Sequence, residues 1–362
     1  MTDAPGVDAT DTLAPSLIDA LVAKHDPSDF HALLERLPQQ AREAHEIAHR
    51  WKIPDGFRTP SRVLLLGMGG SAIGADVVAT LGRVAGCVPI EVVRQYQAPQ
   101  VDADTLVIGC SFSGSTEETI TAFEGTMTTP GMRIALTTGG RLSEIARERD
   151  IPLITYAWDG PPRTALGFGT FIILGILARL GAVAVTERDM DAALDGLEDC
   201  ARRYGLHADD NPAKRLAISI GDRMPVIIGA DFLEVAARRF AGEMSENAKQ
   251  WAFSASLPEF NHNTLQAMGS PSGSSTAIVP IILDAPAVHP RNRRRVAETM
   301  RLLTELHMPA HIEDAGGDTP LEAILRAASL GSWTSYYVAM LRGVDPLPSD
   351  VLDVFKGRMS QD

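Results

Sequence analysis

The chain has 362 residues, 45% hydrophobic and 22% charged, with a formal net charge of −13. This length and balance fit two core-bearing globular domains and exclude a chain disordered throughout, while the acidic excess disfavours a role built on general attraction to nucleic acid. Cys87, Cys110 and Cys200 are odd in number and far apart, which fits reduced thiols in a cytoplasmic enzyme, with Cys110 a packed core thiol.

The first fifteen residues are acidic and small, without a basic stretch leading into an apolar one, so they read as a frayed tail and not as a secretory signal. Residues 17–51 show helical spacing with many charges until Pro54-Asp55-Gly56 breaks the pattern, which makes 1–60 a helical N-terminal extension. Strands are then expected at 63–66, 90–93, 105–108, 133–137 and 151–156, separated by helical lengths. That alternation predicts an α/β fold with a doubly wound parallel sheet. The apolar stretch 168–185 is interrupted by Arg179, glycines and a threonine, and reads as a buried helix rather than a membrane span. Asp209-Asp210-Asn211-Pro212 marks a boundary, dividing a first domain at 61–208 from a second at 209–362. The second half repeats the pattern in degenerate form, with strands near 225–229, 277–283 and 310–313 and a helix from about 231. Arg291-Asn292-Arg293-Arg294-Arg295 is the one dense basic run and reads as a solvated turn of a helix.

Two strand ends open onto loops rich in glycine and hydroxyls: Gly67-Met68-Gly69-Gly70-Ser71, and Ser111-Phe112-Ser113-Gly114-Ser115-Thr116. On one edge of a parallel sheet such turns surround an anion with backbone N–H groups, helix N-termini and hydroxyls. The first loop approximates a dinucleotide fingerprint, yet no acid stands at the end of the next strand, where Arg94 is found. A phosphorylated dinucleotide is a competing reading. In the second loop Ser115 and Glu118 fit a capping box, which leaves Ser111, Ser113 and Thr116 for a phosphate. No P-loop lysine follows, so a sugar phosphate is favoured over a nucleoside triphosphate. The corresponding turn of the second half, Gly229-Ala230-Asp231-Phe232, lacks this pattern, and phosphate binding is assigned to the first domain.

His45-Glu46-Ile47-Ala48-His49 matches a zinc protease signature, but no third ligand follows at a suitable spacing, and no metal site is assigned. Glu246 lies near the C-terminal end of a helix whose apolar side carries Phe232, Leu233, Ala236, Phe240 and Met244. The negative helix end disfavours an ionised carboxylate there, as suits a general base; pairing with Lys249 on an exposed helix end is the competing reading.

Together GMGGSAIGAD at 67–76, SFSGSTEET at 111–119, PRTALG at 162–167, ENAK at 246–249, LPEFNHN at 257–263 and LRGVDPLPSD followed by Lys356 resemble the bifunctional phosphoglucose and phosphomannose isomerase family of the sugar isomerase (SIS) superfamily, over about residues 62–356. The resemblance implies two SIS domains and aldose–ketose interconversion of hexose 6-phosphates without a cofactor. It implies that Glu246 moves the proton between C2 and C1, that Arg163 stabilises the enediolate, and that His262 and Lys356 assist ring opening. Gly70, Ser71, Ser111, Ser113 and Thr116 would hold the phosphate, and Ser349, where the family has threonine, the sugar. The histidine would come from a neighbouring subunit, implying a homodimer, and the C-terminal tail would close over the sugar. A sugar-phosphate-binding regulator without catalysis, or an isomerase of another phosphosugar, is the alternative. The N-terminal extension would cap the dimer.

Overall fold

The computed structural model describes residues 15–85 and 88–359; the expected frayed tail and Cys87 lie outside the described residues. Three helices come first, α1 (Pro15–His25), α2 (Phe30–Glu35) and α3 (Leu37–Arg50). The first sheet contains β1 (Arg62–Leu66), β2 (Ile90–Val93), β3 (Thr105–Ser111), β4 (Met132–Thr137) and β5 (Leu153–Thr155), all parallel, in the order β2-β1-β3-β4-β5. Between them run α4 (Gly69–Ala85), α5 (Glu117–Gly125) and α6 (Gly140–Glu148), and after them α7 (Leu166–Arg179) and α8 (Glu187–Tyr204).

Side-chain alternation divides β1 between two cores, because successive residues of a strand face opposite sides of the sheet. Val63 and Leu65 pack with Phe168, Phe171 and Ile172 of α7, whereas Leu64 and Leu66 join Phe123 of α5 and Leu142 and Ile145 of α6. Every residue of β3 is buried, as expected of a central strand covered on both faces.

The second half begins with α9 (Pro212–Ile220), where the side chain of Asn211 accepts the Lys214 N–H and Pro212 occupies the first turn. Its sheet is β6 (Met224–Ala230), β7 (Phe253–Leu257), β8 (Ile278–Asp284) and β9 (His311–Asp314), all parallel, in the order β7-β6-β8-β9. Helices α10 (Glu234–Asn247), α11 (Ser274–Ala277), α12 (Pro290–Glu305), α13 (Pro320–Arg342) and α14 (Asp350–Met359) complete the chain. Strand β7 is an addition to the sequence reading: it lies at the sheet edge, is largely exposed over Phe253 and Ser254, and has no apolar run to announce it. Helix α13 is buried over most of its length and carries Trp333, Tyr336 and Tyr337 into the core. Among the described residues no helix is long and apolar enough to cross a membrane.

Helices α4 and α7 touch backbone to backbone. A β-carbon on Gly74 would stand 2.5 Å from the carbonyl carbon of Gly169 and 2.7 Å from its oxygen. Gly74→Ala therefore sets a gain in helix propensity of up to about 1 kcal/mol against overpacking of about 1–3 kcal/mol, and the obstacle is backbone that cannot rotate away. Thermal unfolding of Gly74→Ala is expected to show a net loss of stability; an unchanged or raised midpoint would refute this close packing.

Candidate active site

Strands β1 and β3 are neighbours whose following helices leave in different directions, so the crevice between their C-terminal ends is the switch point at which α/β proteins bind ligands. Both glycine- and hydroxyl-rich loops open there. Ser71 Oγ accepts the Phe112 N–H at 2.9 Å and so joins the two loops. Ser111 and Thr116 hydroxyls share a 2.9 Å bond, and Ser113 Oγ accepts the Ser115 N–H at 3.2 Å. With their oxygens accepting N–H groups, Ser71 and Ser113 retain hydroxyl hydrogens to donate to an anion. Gly70, Ser71, Ser111, Phe112, Tyr156 and Pro162 line one cavity.

The Ser115–Glu118 capping box does not form. Helix α5 starts at Glu117, so Thr116 is its N-cap residue, and Ser115 instead donates to Ser113 O at 3.5 Å. Behind this loop stands a third turn of the same kind, Thr137-Thr138-Gly139-Gly140, whose composition was the available signal for it. Thr138 Oγ1 donates to Phe112 O at 2.7 Å, and Leu142 N to Gly114 O at 2.8 Å. Gly114 has a φ of 66°, and a β-carbon there would lie 1.8 Å from Gly139 O, so only glycine fits.

The turn after β6 is closed by a short 3-10 segment, Asp231–Leu233, whose backbone approaches within 2.4 Å of where a Gly229 β-carbon would be. The Asp231 carboxylate accepts His289 N–H at 2.8 Å and also bonds Asn292. An acid at this turn repels an anion.

Arg163 lies against the first loop: a β-carbon on Gly70 would stand 2.6 Å from Pro162 O and 3.0 Å from Arg163 N. Its side chain, 6% exposed, crosses to the second half. There Nε donates to Asn247 Oδ1 at 2.7 Å, Nη2 to the carbonyls of Pro346 and Leu347 at 2.7 and 2.9 Å, and Nη1 to Ser349 Oγ at 3.4 Å. Nη1 also stands 3.5 Å from Glu246 Oε2. Burial lowers the guanidinium's affinity for its proton, and Glu246, Glu243 and Asp345 oppose that shift. Glu246 is the penultimate residue of α10 and its side chain is 37% exposed, so the carboxylate remains open to an incoming molecule beside a cation that is shielded. Lys249 does not pair with that carboxylate. Its φ of 52° turns the chain, and Nζ donates to the backbone carbonyls of Glu246 and Pro346 at 2.8 and 3.2 Å. Burial and the nearby Arg163 lower the Lys249 ammonium from its ordinary value.

Residues far from these motifs hold Arg163 in place. Arg239, in a buried pair with Glu243 at 2.6 Å, donates to Arg163 O at 3.0 Å. Ser332 donates to the same carboxylate at 2.8 Å, and burial pushes the Glu243 carboxyl up against the pull of Arg239. From the N-terminal extension, Gln40 donates to Thr164 O at 3.0 Å and accepts the Gly167 N–H at 2.6 Å. The extension thus packs on its own chain and spans the PRTALG turn from Thr164 to Gly167. Nothing in the sequence separates Gln40 from its neighbour Gln39, because the burial that sets it apart is visible only in the structure.

Two expected site residues stand apart from this group. His262 is exposed at the end of a 3-10 turn, Glu259–His262, beyond β7, and Lys356 is exposed on α14 with Asp353 4.0 Å away. Among the contacts of the described residues none links either to Arg163 or Glu246. Arg94 is bound to Asp76, which also pairs with Arg238 at 3.2 Å, so a carboxylate already engages the cation considered for a dinucleotide. His45 Nε2 lies 3.3 Å from Glu187 of α8, and the rings of His45 and His49 are 6.4 Å apart. Among the described residues no group of three His, Cys, Asp or Glu side chains is arranged to hold a metal ion. Cys110 is buried, which pushes its thiol up to about 12 and suits a core role.

Two parallel-sheet halves joined at a buried arginine, with phosphate-type loops at the first switch point, define a double-SIS protein. Residues 209–359 match the bacterial phospho-glucose isomerase C-terminal SIS domain. The chain is 30% identical over 329 residues to a bifunctional phosphoglucose/phosphomannose isomerase of Caldicellulosiruptor bescii, covering 90% of this chain and 97% of that one. It is 27% identical to an Aquifex aeolicus protein of the same name, over 83% of this chain and 90% of that one. A hypothetical protein of Thermus thermophilus shares the fold at a TM-score of 0.71 and 15% identity, covering 95% of this chain and 94% of that structure. The chain belongs to the bifunctional phosphoglucose/phosphomannose isomerase family, and is thereby an enzyme of the intramolecular oxidoreductase class.

A titratable link ties the extension to the second half. Asp26 accepts Phe30 N at 2.7 Å, His31 Nδ1 at 2.9 Å and the Tyr336 hydroxyl of α13 at 3.0 Å, while the Phe30 ring lies 5.5 Å from the Arg163 guanidinium. Burial alone would raise the Asp26 carboxyl, but the bonds from His31, Phe30 and Tyr336 outweigh it and hold it below its ordinary value. The His31 imidazole is raised above 6.5 chiefly by its bond to Asp26, with burial opposing. A raised folded-state value means that the link contributes fully below about pH 6.5 and fades as pH rises through the folded value, Asp26 remaining ionised throughout. The loss of melting temperature in His31→Gln should accordingly be larger near about pH 5.5 than near about pH 8.5. An equal loss at both would remove the protonated link.

Proposed function

We propose that this chain interconverts fructose 6-phosphate with glucose 6-phosphate and with mannose 6-phosphate through an enediolate. The observation that carries the reading is the Glu246 carboxylate 3.5 Å from the buried Arg163 guanidinium, in a seam that adjoins the phosphate-type loops through Gly70. Moving a proton next to a carbonyl needs a positioned carboxylate and a cation where enolate charge develops. Glu246 takes the proton from C2 of the aldose and returns it to C1, and Arg163 stabilises the negative oxygen in between. The guanidinium is already held by Asn247, Pro346 and Leu347, so little reorganisation accompanies the charge as it forms. Because the enediolate is planar at C2, one base serves both C2 epimers, and dual specificity follows from the mechanism.

In this reading Gly70, Ser71, Ser111, Ser113 and Thr116 hold the phosphate and Ser349 positions the sugar. Residues 61–208 and 209–362 form the two domains, and His262 of a second copy completes the site in a homodimer. Ring opening uses that histidine and Lys356, which reaches the sugar when the tail closes. The exposure of His262 and of the whole of α14 in a single chain supports this.

NMR of metal-free protein with fructose 6-phosphate should show both aldoses forming. Glu246→Gln, with folding intact, should lose at least about 10²-fold in turnover; near-normal turnover would sink the assignment of the base. Arg163→Met should lower kcat more than it raises KM. A raised KM at unchanged kcat would make Arg163 a ground-state binding residue instead.

A further inference from the structure

The basic run on α12 borders a concavity. A cavity of about 410 Å³ is lined on one side by Arg291, Arg294, Arg295, Glu298, Thr299 and Leu302, and on the other by Asn261 and Leu265. The spacing of these α12 residues follows one helix face, so the three arginines border the same concavity, with Arg291 and Arg294 exposed and Arg295 half-buried. Among the described residues none of the three has an ion pair or a side-chain hydrogen bond, whereas their neighbours Arg293 and Arg301 pair with Asp284 at 3.4 Å and Glu298 at 3.1 Å. Glu298, the one acid lining the cavity, is thus already engaged.

Like charges gathered in a concavity repel one another and favour an anion between them, the more so where walls exclude part of the water. In a chain of net charge −13, three uncompensated arginines at one cavity stand against the general field of the molecule. Arginine suits phosphoryl oxygens because its planar fork donates two parallel hydrogen bonds. Leu265 and Leu302 add an apolar strip, and the volume falls in the range of small-molecule sites. We propose that this cavity binds a small phosphorylated metabolite carrying at least two anionic groups, away from the Arg163–Glu246 seam of its own chain.

The cavity adjoins the turn that carries His262. Asn261, the residue before it, donates to Thr299 Oγ1 at 2.8 Å, and Thr299 is a buried cavity wall.

Titration calorimetry at physiological salt, with inorganic pyrophosphate and ADP as probes, compares the wild-type chain with Arg291→Ala/Arg294→Ala/Arg295→Ala. These side chains are exposed or half-exposed, and circular dichroism checks that the variant folds. The expected result is one diphosphate bound at this cavity per chain, weakened at least about tenfold in the variant, with fructose 6-phosphate binding unchanged. Binding equally strong in the variant, or no binding by wild type, overturns the proposal. Sedimentation in parallel identifies the other occupant: a variant that loses self-association without losing a diphosphate site shows that a second copy covers the cavity, and likewise overturns it. The readout is binding, so the outcome stands apart from whether the isomerase reading holds.

Discussion

The structure turns on the burial of one cation. Removing a guanidinium from water costs several kcal/mol unless hydrogen bonds and an opposing charge replace the solvent. Arg163 meets that requirement only because distant segments converge on it: Asn247 from α10, the carbonyls of Pro346 and Leu347 from the tail, and Ser349 beyond them. Arg239 holds its backbone oxygen and Phe30 underlies its planar group. The two sheets are joined where this side chain is satisfied, so the seam between them and the approach of Glu246 to Arg163 share one physical cause.

Rigidity around the seam comes from backbone contact as much as from side-chain packing. Gly70 against Pro162, Gly74 against Gly169 and Gly114 against Gly139 bring main chains together at distances that a β-carbon would forbid. The first ties the phosphate-type loop to the arginine turn, the second locks the helix leaving that loop, and the third seats the second loop on the turn after β4. Hydroxyls then work in two directions, accepting N–H groups that shape the loops while keeping hydrogens for a ligand. The N-terminal extension belongs to the same frame, because Gln40 spans Thr164 and Gly167.

Much of the fold was legible because strands covered on both faces are largely apolar runs. β1, β3, β4, β6 and β8 are of that kind. Edge strand β7 carries serines and faces water on much of its surface, so nothing in its composition separates it from a loop. The capping box at Ser115 failed for a related reason: a hydroxyl and a glutamate at the right spacing do not fix which residue starts the helix when another hydroxyl, Thr116, stands next to it. The basic run on α12 was correctly a helix, but whether its charges meet solvent or border a cavity depends on where the Asn261 turn lies.

Sequence by itself determined the parallel α/β architecture, the position of the loops at strand ends, the delivery of Glu246 at the end of α10 and the family motifs. Each of these depends on local periodicity, turn chemistry or short contiguous patterns. Tertiary structure alone decided that Glu246 faces Arg163, that Lys249 binds carbonyls and not the carboxylate, and that Gln40, Arg239, Glu243 and Ser332 support the site. Those pairings cross from tens to more than a hundred residues of chain or reverse a local expectation. They arise from which buried polar groups can satisfy one another once the two sheets have packed, which no spacing in the sequence encodes.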